Sequence, residues 1–359
     1  MLFDTILPFF GILIFLVVVH EFGHYITAKL SGVKVLEAGI GYPPRIWGFN
    51  YRGTLYSINL LPLGGFVRLL GEEDPGDPQS LAAKSRPVRL MVMAAGAFMN
   101  ILLPIVLFAI AFMIPQDVGV GPTQIVDVLP NSPAERAGLR PGDIVLEVDG
   151  HRIRNSTDLG RQVRLNMGGT VDMTVRRPAS PTDLNNGEVF TVPVQSRYNV
   201  NGPTGIRVQM AALDHIESES YPPWEAFPKG WTTTTETLTL ARNEVISWFK
   251  GSGGPEFTGP VGIAQTTGEI VDEAGWRSLL GFTALLSINL AVINILPLPM
   301  LDGGRIAFVL LEMVRRGKRI APEKEALVHF IGLAAMITMA VVVTYFDLIR
   351  VFRGESILR

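Results

Sequence analysis

The chain has 359 residues, 48% of them hydrophobic and 18% charged, with 37 glycines besides and a mean hydropathy of +0.31. A soluble domain carries about 25% charged residues, so this balance points to a membrane. The net charge of −2 excludes nucleic acid as an electrostatic partner, and the lack of cysteine excludes disulfides, thiolate metal sites and cysteine nucleophiles, which leaves any metal to five histidines and the carboxylates.

Crossing about 30 Å of hydrocarbon takes roughly 20 mostly apolar helical residues. Residues 6–30 qualify, with an apolar run from Ile6 to Val19 followed by His20-Glu21-Phe22-Gly23-His24. Asp4 is the only charge before the run and no small-x-small cleavage site ends it, so it reads as a retained span rather than a signal peptide. Across residues 37–70, Gly39, Gly41, Pro43, Pro44, Gly48, Gly53, Gly64 and Gly65 punctuate short β-prone runs such as 54–60. That stretch is too broken for a spanning helix and reads as a hairpin. A second span is expected over residues 90–114.

Residues 115–212 read as a small folded domain. Alternating runs at 123–128, 144–149, 170–175, 189–194 and 205–210 predict strands, and Asp149-Gly150 predicts a tight hairpin turn. Ser132-Pro133-Ala134-Glu135 has the form of a capping box with proline at the first helical position, and Gly138 can end that short helix. A second helix is expected after Ser156. In residues 213–275, Trp224, Trp231 and Trp248 suggest either a segment lying at the membrane interface or a helix packed on the outer domain.

The third and fourth spans are expected over residues 279–296 and 327–346. Lys29, Lys34, Arg45, Arg52, Arg68, Lys84, Arg86 and Arg89 between spans one and two, and Arg305, Arg315, Arg316, Lys318, Arg319 and Lys324 between three and four, place both links in the cytoplasm. The N-terminus and residues 115–275 then lie outside. Arg350, Arg353 and Arg359 pull mildly against an outside C-terminal tail.

His20 and His24 are one helical turn apart on one face, with Glu21 beside them. By chance, His-Glu-x-x-His would arise roughly 0.004 times in a chain of this composition. Ionisable groups within a span cost on the order of 2.5–3.5 kcal/mol each, and a divalent cation would compensate them. A catalytic zinc takes three protein ligands, so a third is needed. His151 and His215 fall in the outer domain and His329 at the start of span four, whereas Asp302 follows the end of span three at matching depth. Pro297 and Pro299 stop the helix just before it and leave backbone groups that only protein or a water-filled cavity can cover. Glu21 is then placed as general base toward water and proton donor to the leaving amine.

His20-Glu21-Phe22-Gly23-His24 together with Asn294-x-x-Pro297-x-Pro299-x-x-Asp302-Gly303 resembles the double signature of the site-2 protease family (peptidase M50 type). The run from Asn131 to Ile144 resembles the start of a bacterial PDZ domain, and a PDZ module between spans two and three is similar to the RseP-type members, over nearly the whole chain. Gly96-Ala97-Phe98-Met99-Asn100 resembles the family's Gly-x-x-x-Asn element, and Gly259-Pro260-Val261-Gly262-Ile263 a stretch preceding span three. One departure is that some RseP-type proteins carry two PDZ domains, and the strand pattern here leaves room for one.

The resemblance implies a polytopic α-helical membrane protein of about four transmembrane helices, with a membrane-reentrant β-hairpin and an inserted α+β PDZ domain. It divides the chain into a first membrane half (1–114), a periplasmic PDZ domain (115–212), a periplasmic interfacial segment (213–275) and a second membrane half (276–359). The implied activity is zinc-dependent peptide hydrolysis within the bacterial inner membrane, with the active site toward the cytoplasm. His20, His24 and Asp302 would hold Zn2+, Glu21 would be catalytic, and Asn294, Asn100, Pro297 and Pro299 would contact substrate. Implied partners are single-span membrane proteins or remnant signal peptides, membrane lipids, and a peptide ligand of the PDZ domain. Two other readings stay open from the residues: an ion, proton or metal transporter using intramembrane His, Glu and Asp, and an inactive membrane scaffold presenting its PDZ domain.

Overall fold

The structure is a computed structural model that describes residues 5–72, 74–180, 183–199, 202–250 and 258–353. In chain order the elements are α1 (Leu7–Leu30), β1 (Val35–Tyr51), β2 (Thr54–Leu69), α2 (Arg86–Met113), β3 (Gln116–Val120), β4 (Thr123–Val128), α3 (Pro133–Arg136), β5 (Ile144–Val148), β6 (His151–Arg152) and α4 (Ser156–Leu165). They continue with β7 (Thr170–Ser180), β8 (Asp183–Gln195), β9 (Ile206–Met210), β10 (His215–Glu219), α5 (Pro223–Phe249), α6 (Pro260–Ala274), α7 (Ser278–Ile295), α8 (Asp302–Val314) and α9 (Pro322–Phe352). Two compact units emerge, residues 1–111 with 257–359, and residues 112–256.

In the first unit, four helices among the described residues are long and apolar enough to cross a membrane: α1, α2, α7 and α9. They coincide with the four expected spans. In lipid the hydrophobic effect does not drive helices together, so close packing by small residues must do so. Gly23 supplies it between α1 and α2, where a methyl group would meet the Ala95 carbonyl oxygen and Met99 Cγ. At the C-terminal end of α1 and the N-terminal part of α2, Ala28, Val33, Val35, Leu69, Val92, Met93 and Val309 form a buried cluster that ties α8 and the strands to α1 and α2.

β1 and β2 form the hairpin expected over residues 37–70, with a bent register. Residues 37–40 bond on one side to residues 65–68 and on the other to 55–58, while 47–51 bond to 54–58. Four short stretches thus lie in the order 65–69, 35–42, 54–59, 45–51, with β2 packed along α1.

Two helices were not anticipated by apolar periodicity. α8 begins at Asp302 itself, inside what the sequence suggests is a plain cytoplasmic link. α6 packs on α1, α7 and α9. Its N-terminus is capped across the unit by Asp347 of α9, whose Oδ2 accepts from the Gly262 N–H at 2.9 Å. Gly259 lets that carboxylate approach, since a methyl there would lie 2.6 Å from Oδ2. A buried carboxylate in a span thereby finds the positive end of a helix dipole.

In the second unit the expected strands are present, with β7 and β8 longer than their apolar runs suggest. The main sheet runs β8-β7-β5-β4-β9, with β6 pairing β5, and β3 pairs β10 separately. Asp149 and Gly150 both adopt positive φ, 50° and 75°, and turn β5 into β6. Such a two-residue turn matches the twist of the strands. Ser132 Oγ accepts from the Glu135 N–H at 3.1 Å, while the Glu135 carboxylate reaches back to the N–H of Asn131 at 2.6 Å. The capping box is therefore met one residue further back than its usual form. Ile125, Val145, Val148, Leu159, Val171, Met173 and Val175 fill the core. α5 packs on α4, where the buried Asn243 amide donates to the carbonyls of Arg164 and Leu165. Trp224 and Trp231 on α5 stay exposed, so the packed-helix alternative is met for its C-terminal half.

Candidate metal centre

α1 carries His20, Glu21 and His24, and α8 carries Asp302 at its first residue. Folding brings Nε2 of His20 to 3.1 Å and Nε2 of His24 to 3.2 Å from Asp302 Oδ2. The two ring nitrogens lie 3.2 Å apart. These three are the cluster of potential metal ligands found among the described residues.

The triangle has the size of a metal shell. Ligands about 2.0–2.2 Å from a tetrahedral zinc stand about 3.3 Å from one another. Proton placement points the same way. His24 Nδ1 lies 2.8 Å from the Val92 carbonyl oxygen and must donate to it, so in the neutral ring Nε2 carries the lone pair. On His20 the Asn100 side-chain amide lies 3.3 Å from Nδ1, and Asn100 Oδ1 is buried without a partner. A half-turn of that amide sets Oδ1 to accept the Nδ1–H, which again leaves Nε2 with its lone pair. With both rings neutral, two imidazole lone pairs and a carboxylate oxygen converge on one point. Lone pairs converging in this way repel unless a cation sits between them, so the donor set fits Zn2+.

The Gly-x-x-x-Asn element of α2 explains why the two rings fit. A methyl on Gly96 would lie 2.4 Å from His24 Nε2 and 2.6 Å from His20 Nε2. Gly96 makes room for the two imidazoles, and Asn100, four residues on, lies against one of them. Asn100, expected at the substrate, is fully buried beside His20.

Asp302 is delivered by a tight turn. α7 ends at Ile295, before Pro297 and Pro299, and Met300 takes a left-handed φ of 71°. The Met300 N–H donates to Nδ1 of the buried His329 on α9 at 2.8 Å. Gly303 and Gly304 let the turn fold back on the carbonyls of Leu296 and Leu298, and Gly332 of α9 abuts Pro299. Pro299 therefore packs against a helix, whereas Pro297 is exposed and Asn294 half-buried on the last turn of α7. His329 was noticed in the sequence only as a histidine left over. Its partner is 29 residues away through a backbone N–H, for which no side-chain pattern exists.

Glu21, one residue round α1 from His20, does not join the triangle. It lines a mostly apolar cavity of about 410 Å³ between α1 and the hairpin, with Tyr25, Gly39, Trp47, Tyr56 and Phe66. A methyl on Gly65 would lie 3.9 Å from Glu21 Cγ. The hairpin thus passes directly beside this carboxylate.

Comparison with known proteins bears on the family of the chain. The sequence profile described as "Peptidase family M50" matches residues 8–339. Zinc metalloprotease RasP of Oceanobacillus iheyensis is 30% identical over 431 aligned positions, covering 97% of this chain and 99% of that protein. RasP of Shouchella clausii is 28% identical over 435 positions, covering 97% and 100%. A Clostridium perfringens protein, provisionally described as a zinc metalloprotease, is 34% identical over 337 residues, covering 93% and 95%.

Proposed function

The chain belongs to peptidase family M50 and is a zinc metalloendopeptidase of the site-2 type, and from that premise we propose that His20, His24 and Asp302 hold the zinc and that Glu21 is the catalytic base. The observation that carries this reading is the convergence of three lone pairs at 3.1–3.2 Å with both imidazole Nδ1 atoms facing polar partners. A peptidase of this family has no need of the ion pathway that the same residue types left open.

Zinc held there supplies Lewis acidity toward water and toward a peptide carbonyl oxygen. Glu21 takes the proton of the attacking water on its carboxylate and delivers it to the nitrogen of the scissile bond, so that the amine leaves neutral. Val92 and Asn100 keep the two imidazoles oriented through that transfer. The apolar cavity wall around Glu21 limits competing water.

The substrate is a transmembrane segment of a single-span regulator or a remnant signal peptide. Its helix must unwind before a peptide bond is exposed, and each freed N–H and C=O then needs a partner. The hairpin supplies one by strand addition. Its edge at residues 65–67 is the favoured place, because Gly65 sits beside Glu21. Exposed Ile40, Tyr42, Ile46, Trp47, Ile58 and Leu60 suit a hairpin dipping into lipid. Residues 115–212 act as a PDZ domain that takes a peptide terminus or restrains bulky outer domains. Asn294 and Pro297 touch substrate in this reading, which the exposure of Pro297 and the partial exposure of Asn294 support. By the distribution of Lys and Arg, the N-terminus and PDZ domain face the periplasm, the metal centre lies toward the cytoplasm, and the membrane is the bacterial inner membrane.

The test is cleavage of tagged single-span substrates by purified protein, read together with zinc content. His20→Ala and Asp302→Asn are expected to lose both. Glu21→Gln is expected to keep zinc and lose cleavage, and wild-type cleavage by that variant would refute the assignment.

A further inference from the structure

Beyond the metal centre, at the inner ends of α2 and α8, lies a buried knot of charge. Arg89 of α2 donates through Nη1 to Glu312 Oε2 at 2.6 Å, with both side chains more than nine-tenths buried. Arg86 Nε reaches Glu312 Oε1 at 3.2 Å, and Arg319 Nε lies 3.5 Å from Oε2. Burial works to raise the Glu312 carboxyl, but Arg89, with Arg319 and Arg86, outweighs it and holds the group below its ordinary value. The pair is therefore ionised. It does not touch the metal centre and has no part in the chemistry derived above.

Its place on the two helices is informative. On α2, Arg89, Val92, Gly96 and Asn100 follow one another at spacings of three, four and four, which keeps them on one face. That face holds both histidines, through the Val92 carbonyl, the space at Gly96 and the Asn100 amide. On α8, Asp302, Arg305, Val309 and Glu312 likewise share a face. Val309 shares a buried cluster with Val92 and Met93, between the two ends and nearer Glu312. Glu312 meets Arg89 at one end of this seam, and Asp302 meets the histidines at the other. The separation of Asp302 and Glu312 along α8 is about 15 Å, and slipping by one turn would move Asp302 by about 5.4 Å. Apolar contact alone is non-directional and would tolerate such a slip, whereas a buried ion pair would not, because it would leave both charges unpaired.

We propose that Arg89 and Glu312 are positioning residues for the third metal ligand: their buried ion pair fixes the register of α8 on α2, so that the helix face holding His20 and His24 also sets Asp302. This rests on the reading of His20, His24 and Asp302 as the zinc ligands. Arg305 adds a second hold, pairing with Glu72 at 2.5 Å just after β2.

The experiment uses the full chain in detergent or nanodiscs and measures zinc affinity by chelator competition, and the visible d–d spectrum after Co2+ replaces zinc. Glu312→Gln is expected to weaken zinc binding about tenfold, the lower end for residues that orient metal ligands, and to alter the cobalt spectrum. Arg89→Gln should do the same, and the double variant should be no worse than either alone, since one interaction is lost in all three. Glu312→Asp and Arg89→Lys, which keep the charges, should restore most of the affinity. Arg316→Gln, an exposed neighbour, should change nothing. Wild-type affinity and spectrum in Glu312→Gln, or additive losses in the double variant, would overturn the proposal. Should Glu312→Gln not fold, Arg89→Gln decides: weaker zinc binding with an altered cobalt spectrum supports the register role, and wild-type affinity and spectrum overturn it. If Asp302→Asn binds zinc as wild type does, the ligand reading itself falls and takes this proposal with it, an outcome distinct from a failure at Glu312 alone.

Discussion

Gly96→Ala adds one methyl group at the point where α2 passes the two imidazoles. That methyl would stand 2.4 Å from His24 Nε2, 2.5 Å from His20 Cε1 and 2.6 Å from His20 Nε2. Contact distances between such atoms are about 3.5 Å, so roughly 1.1 Å of overlap must be relieved. α2 cannot easily back away, because Gly23 holds it tightly against α1, with a methyl there only 2.3 Å from the Ala95 carbonyl oxygen. The rings must move instead, by several times the roughly 0.2 Å tolerance of a metal–ligand bond. The expected result is at least tenfold weaker zinc binding, on the order of 1.4 kcal/mol or more, with cleavage lost in proportion. Overpacking should also lower stability by about 1–3 kcal/mol. Chelator competition measures the affinity and a thermal melt the stability. Gly281→Ala on α7 is the control, since a methyl there meets nothing within 4 Å. Wild-type zinc affinity in Gly96→Ala would refute the view that this glycine sets the ligand geometry.

His329→Leu removes the acceptor for the Met300 N–H, at a cost of about 0.5–1.5 kcal/mol. Since Met300 lies two residues before Asp302, zinc affinity should fall along with the melting temperature, and an unchanged zinc titration would make His329 a packing residue only. In the second unit, burial acts to raise the Glu219 carboxyl, but the hydrogen bond and charge of Arg154, with Tyr221 and Lys229, overcome it and depress the pKa below 4.5. A depressed carboxyl stabilises the fold above its unfolded pKa and loses that contribution as pH falls through the folded one. The thermal midpoint of wild type should therefore exceed that of Glu219→Gln at pH 7, with the gap closing below about pH 4.5. A gap that stays constant down to pH 3 would show that the Arg154–Glu219 pair is not its source.

Local rules made much of this protein readable from the chain. Helical period alone puts His20 and His24 on one face, and hydrocarbon thickness alone delimits α1, α2, α7 and α9, because both depend only on residues near in sequence. The same holds for the Asp149-Gly150 turn and the Ser132 cap. Asp302 was reached by motif and by depth rather than by any local pattern.

What only the tertiary structure decided is how those pieces are held at a tenth-of-ångström scale. Gly96 reads in sequence as one more small residue in a span, and its meaning appears when two imidazoles from 72 and 76 residues away occupy the space its side chain would fill. Asn100 meets His20 from 80 residues away, and His329 becomes the support of the Met300 N–H. Arg89 and Glu312, 223 residues apart, look like ordinary inner-loop charges until α8 folds back along α2. Side-chain period fixes which face of a helix is apolar. It does not specify which other helix meets that face or in what register, and a metal centre built from two helices depends on both.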